Sequence, residues 1–301
     1  MIKEIYNFLF EIYAQWQKDK AMEMGAAIAY YTIFSLPPLL IILITLTGIF
    51  FGEYAIQGKI VAQIQGLVGK DVAITIESII KNTHRPDISS YSAIIGIVAL
   101  LLGATGVFSQ VKQSLNKIWG VEPKYQSGIL AFIKDKIIPF FMVLLIGFLV
   151  VLSVIVETIV SNFNEFIGIY LVGELYVFLL KISNFNISFG ILTIMFALIY
   201  KVLPDVDISF RDVSLGAFVT AILFMIGKYV ISLYIINTNI GLSYGTAGSM
   251  IILLVWIFYA SLIFLFGAEF TQIYTKKYGK RIIPINGATI INQERFKNDK
   301  S

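Results

Sequence analysis

Cysteine is missing from all 301 residues, so neither a disulfide framework nor a thiolate metal site is available. Histidine is nearly missing too. His84 stands alone in the turn Asn82-Thr83-His84-Arg85-Pro86-Asp87, where it reads as a solvated side chain and not as a ligand or base. A zinc centre of the usual His/Cys type is therefore excluded. Charge is scarce: 14% of residues are charged against 57% hydrophobic, far from the balance of a soluble domain. The acids are scattered over loops, without the clustered carboxylates of a two-metal nuclease or an acid–base pair near solvent, which argues against RNA hydrolysis. The net charge of +4 sits at the ends of apolar segments and not on one continuous face, a pattern that marks topology and not nucleic-acid binding. No phosphate-binding Gly-Lys loop is present, so the chain has no ATP site of its own, and no cofactor is implied. A cleavable signal is not expected at the N-terminus, because the first apolar run is too long and lacks a small-residue cleavage site.

What the chain does have is long uncharged runs. Met250 to Ala268 carries no charge, and ~20 such residues at ~1.5 Å each cross a hydrocarbon layer of ~30 Å. The expected fold is all-α: a polytopic membrane bundle in a single domain over 1–278, with a polar cytoplasmic tail at 279–301. Six spans are expected at about 24–51, 91–111, 136–160, 187–202, 213–236 and 248–273. Residues 1–22 place Ile2, Ile5, Tyr6, Leu9, Ile12, Tyr13 and Trp16 on one face, the spacing of an amphipathic helix on the membrane surface. Short outer amphipathic helices are expected in 52–90. The segment 161–182, interrupted by glycines and charges, reads as interfacial or re-entrant, separate from the fourth span.

Orientation follows from the basic residues. With both termini inside, 17 of the 23 Lys and Arg fall in inner segments and 5 in outer ones, Lys228 being the remaining one. Polar groups inside spans are the candidate site, because charges in a bilayer face a cavity or a partner. Pro37-Pro38 should break the first span by removing backbone donors to the carbonyls of Ile33 and Phe34, with Thr32 and Ser35 as local replacements. The break either packs as a kink or lines a cavity flanked by Tyr30 and Tyr31. Lys228 and Glu157 reach comparable depth. Lys228 either snorkels to headgroups or serves that cavity. Glu269 ends the last span at the inner surface, level with Lys112, Lys201 and Arg211, which are its candidate ion-pair partners. Membrane lipids and an anionic or amphipathic small molecule are the expected partners, with no nucleic acid. The sequence sets no oligomeric state. A transporter or flippase is one reading. A non-transporting scaffold or envelope-integrity factor is the other.

Several stretches, in order and spacing, resemble the YihY/virulence factor BrkB family. They are Met24-Gly25-Ala26-Ala27-Ile28-Ala29-Tyr30-Tyr31-Thr32 through Pro37-Pro38, Leu115-Asn116-Lys117-Ile118-Trp119, Leu203-Pro204 with Phe210-Arg211-Asp212 and Gly216-Ala217, and Tyr244-Gly245 with Gly267-Ala268-Glu269. The resemblance runs from about residue 20 to 278 and departs from the pattern in 52–90 and 161–182. It implies a bacterial inner-membrane protein of about six spans, an older ribonuclease BN label, and a role in moving lipids or other solutes. No catalytic residue is carried over with it.

Overall fold

The structure is a computed structural model that describes residues 2–51, 65, 73–78, 106–123, 141, 142, 145, 149, 152, 174–238, 248–279, 282–285 and 287–291. Helices dominate these residues: α1 (Ile2–Lys18), α2 (Ala21–Phe51), α3 (106–119), α4 (Glu174–Val202), α5 (Phe210–Thr238) and α6 (Gly248–Tyr278). Four two-residue strands follow the helix ends, β1 (Val121–Glu122), β2 (Val206–Asp207), β3 (Ile283–Pro284) and β4 (Thr289–Ile290).

Among the described residues the helix that carries the uncharged run is the one the others pack around. α6 packs against α1, α2 and α5, while α5 packs on α4. At 31 residues α6 is about 46 Å long at ~1.5 Å per residue. Among the described residues two helices are long and apolar enough to cross a membrane, Phe210–Tyr234 of α5 and Met250–Tyr278 of α6, and Asn186–Val202 of α4 is a shorter apolar stretch. Only 39% and 33% of the apolar windows in α5 and α6 are buried in protein, too little for the core helix of a soluble domain. The outward row Phe218, Ile222, Ile226, Tyr229, Val230 and Leu233 of α5 is exposed, a continuous apolar surface that hydrocarbon covers without cost.

Three sequence expectations change. The segment 174–182 is no separate interfacial piece but the start of α4, a single helix of 29 residues. Lys181, Asn184 and Asn186 interrupt the hydropathy there without interrupting the backbone ladder, because a polar side chain does not remove its own amide. α2 runs unbroken through Pro37 and Pro38, whose side chains lie outside the described residues. Proline's fixed φ is itself helical, so it removes bonds without forcing a break. The hydroxyls expected to serve Ile33 and Phe34 do not. Thr32 donates to Ile28 O at 2.7 Å and Ser35 to Thr32 O at 3.1 Å, since a hydroxyl reaches back only three or four residues. The described part of the polar tail forms strands: β3 pairs antiparallel with β2 and β4 with β1. Spans 91–111 and 136–160 and the outer helices of 52–90 lie almost wholly outside the described residues; residues 65 and 73–78 are helical.

The core gathers where α3, α4, α5, α6 and their connections converge. Leu115, Ile118, Leu203, Val213, Ala217, Ala221 and Leu265 are fully buried, and Trp119 and Tyr200 nearly so. α3 ends at Gly120, whose φ of 68° is the left-handed conformation that caps a helix and turns the chain into β1. α1 docks at the same end. Phe8 meets Phe270 edge-on at 5.5 Å, Ile12 is fully buried, and Glu11 pairs with Lys277. The face of α1 bearing Tyr6, Leu9, Phe10 and Tyr13 stays exposed. The apolar arc of α1 is thus shared between α6 and the surroundings. All four segments that the charge count put on one side, at 1–23, 112–136, 201–211 and 276–301, contribute to this end of the bundle.

Candidate functional site

Along the C-terminal half of α6 polar side chains face into the bundle. Ser261, Glu269, Thr271, Gln272 and Thr275 are all buried, Glu269 and Thr271 completely. The opposing face of α5 supplies Asp212, Gly216 and Thr220, spaced by four residues so that they stack on one side of the helix. The two helices run antiparallel in a fixed register. A Cβ on Gly216 would stand 1.9 Å from Thr271 Oγ1, and one on Gly267 would stand 1.9 Å from Thr220 Oγ1. Each glycine is the seat of the other helix's threonine, and each threonine hydroxyl donates to the glycine carbonyl of its own helix at 2.7 Å. The polar atoms are satisfied locally while the backbones approach closely, as small residues permit between membrane helices. Tyr200 of α4 closes this seam by donating to Phe264 O at 2.7 Å, with its oxygen 3.2 Å from Thr220 Oγ1.

A second polar centre ties α3 to the α4–α5 connection. Asp205, buried, receives Lys112 Nζ at 3.0 Å and Asn116 Nδ2 at 2.9 Å on Oδ2, and its own amide donates to Asn116 Oδ1 at 2.8 Å. Lys201 is held by Asp207 at 2.6 Å and by Ile208 O at 2.5 Å. Two of the cations offered to Glu269 by the sequence thus have loop carboxylates beside them, and Arg211 is exposed. Glu269 itself is sealed within the bundle, not at its surface.

Of the proposed cavity residues, Tyr30 and Tyr31 are exposed, with the Tyr31 ring against Gly106 of α3. Lys228 is half-buried on α5 with its ammonium 5.4 Å from the centre of the Tyr229 ring. Glu157 and His84 lie outside the described residues, as do the side chains of Pro37 and Pro38. The residues the sequence reading did not single out as a site are Asp205, Asp212, Tyr200, Thr220, Thr271, Gln272 and Thr275. The signal available for the seam was the repeated Gly-x-x-x-Thr at 216–220 and 267–271.

Long helices with apolar outer faces around a buried polar seam define an integral membrane protein. The chain belongs to the virulence factor BrkB family, whose profile matches residues 12–285. Its relatives include a UPF0761 membrane protein of Psychromonas ingrahamii, 27% identical over 90% of this chain and 88% of that one. Another, of Alteromonas mediterranea, is 28% identical over 87% and 86%. YfkH of Bacillus subtilis, whose name describes it as ribonuclease-like, is 24% identical over 90% and 96%. No solved structure matches the chain.

Proposed function

We propose that this protein is a transporter or flippase for an anionic or amphipathic solute, seated in the bacterial inner membrane as about six spans with both termini cytoplasmic. The observation that carries this reading is Glu269, a fully buried carboxylate within the membrane-length helix Met250–Tyr278. Ionisable groups at such places are expensive, and membrane proteins keep them for substrate or ion pathways. Lys228, part-way along α5, adds a positive group for an anion. A gradient, not ATP, is the energy source consistent with the sequence, if transport is coupled at all. One histidine and no cysteine weigh against taking over the ribonuclease-like name of a relative.

Proteoliposomes carrying a fluorescent anionic phospholipid test this reading. With a quencher added outside, vesicles holding the protein should lose signal beyond the outer-leaflet share lost by empty vesicles. Glu269→Gln that still elutes as a folded species should slow that extra loss. Loss identical to that in empty vesicles, repeated in uptake assays with small organic acids, would leave the scaffold reading in possession of the field.

A further inference from the structure

Among α1, α2, α4, α5 and α6, α1 gathers its apolar side chains most strongly on one side, and the bundle uses only part of that side. At ~100° per residue its surface divides into three stripes. Phe8, Ile12 and Trp16, spaced by four, face the bundle. Phe8 meets Phe270 and Tyr278 with ring centres 5.5 and 6.5 Å apart, Ile12 is fully buried and Trp16 packs on the core. Lys3, Asn7, Ala14 and Lys18 form an exposed polar stripe. Between these two runs a third, Tyr6, Leu9, Phe10 and Tyr13, each exposed by half or more. Two exposed stripes of opposite chemistry require two different surroundings. Water accounts for the polar one.

Position identifies the other. α1 passes into α2 through a turn of two residues, the second of which, Lys20, is left-handed at φ 60°. Residues 24–52 carry no charge, a run long enough to cross a bilayer. The last charged residues before it, Lys20 and Glu23, pair at 3.1 Å and are exposed, so this end of α1 stands at a bilayer surface. Phe8 sits against the last turns of α6, where Lys276 and Lys277 close a second membrane-length run. Two attachments thus hold α1 at the boundary. α2 exposes a row of the same kind as the apolar stripe, Met22, Ala26, Tyr30 and Phe34. The stripe itself is aromatic, as side chains at the headgroup level are, and Tyr13 keeps its hydroxyl at the wet edge, where Gln17 Nε2 donates to it at 3.0 Å. We propose that α1 is an in-plane anchor whose stripe of Tyr6, Leu9, Phe10 and Tyr13 rests among the glycerol groups and upper acyl chains of the leaflet at this end of the bundle. Apolar insertion holds it there, about 5–10 Å deep. Headgroup charge does not select it, because the two lysines and two glutamates of α1 cancel. Nothing in this anchor depends on transport, since a scaffold would use it equally.

The test puts one nitroxide at a time on the full chain, which has no cysteine of its own, in nanodiscs whose two faces both meet solvent. Phe10→Cys and Tyr13→Cys report on the apolar stripe, Asn7→Cys and Lys18→Cys on the polar one. All four side chains are exposed, so none of these substitutions empties the core. Relaxation by oxygen, which concentrates in lipid, is compared with relaxation by a neutral nickel chelate, which stays in water. The oxygen-to-nickel ratio should be several-fold higher at Phe10 and Tyr13 than at Asn7 and Lys18. It should not change when phosphatidylglycerol replaces a third of the phosphatidylcholine, or when salt is raised. Equal ratios at all four positions would place the stripe in water and overturn the proposal. Shielding from both reagents at Phe10 and Tyr13 would overturn it in favour of a protein partner, with dipolar broadening between labels marking a second copy of the chain. A ratio that rises with phosphatidylglycerol and falls with salt would overturn anchoring without charge selection.

Discussion

Asp205 joins the α4–α5 connection to two side chains of α3, Lys112 and Asn116, the second of them 89 positions away. The carboxylate is buried, and charge-assisted bonds from Lys112 and Asn116 compensate its desolvation. Removing one side of a buried pair leaves the other uncompensated, at a cost of about 3–5 kcal/mol. Asp205→Ala should therefore lower stability by about 3 kcal/mol in detergent. Adding Lys112→Met should recover part of the loss. If Asp205→Ala unfolds with the native protein, the pair adds nothing. The sequence showed Leu203-Pro204-Asp205-Val206-Asp207 as a polar turn and Lys112 as a basic helix end. It did not show that they meet, because nothing in local spacing encodes a contact between a helix and a distant loop.

Helices were more legible than their contacts. α2, α5 and α6 occupy the intervals that hydropathy marks, because length and charge depletion are properties of the segment itself. The start of α4 was misread because charged and polar side chains such as Glu174 and Lys181 dilute hydropathy without ending a helix. The Gly–Thr seam gives an element-scale prediction. Gly216→Ala drives a methyl to 1.9 Å from Thr271 Oγ1 and should cost about 1–3 kcal/mol through overpacking. Thr271→Ala should restore only part of it, because the Thr271 Cβ, 2.8 Å from the new methyl, remains. Strict additivity in the double-mutant cycle would mean that the two helices do not meet at this register.

Among the described residues one end of the bundle is closely knit. Segments that the basic residues assign to one side are brought together there, which makes sidedness testable with single cysteines in a chain that has none. Cysteines at the exposed Glu122 and Thr289 should resist an impermeant reagent added outside intact cells, and one at the exposed Thr238 should react. The reverse pattern would invert the protein. Asp205 is no use as a reporter, being buried. The strands at this end also impose an order on biogenesis. β2 waits for its partner at 283–284 and β1 for its partner at 289–290, which leave the ribosome after every helix described here. A nascent chain can insert its helices one by one, but two connections at this end stay unfastened until translation has passed Pro284 and Ile290 in turn, so the short ribbon after α6 acts as the clasp closed last.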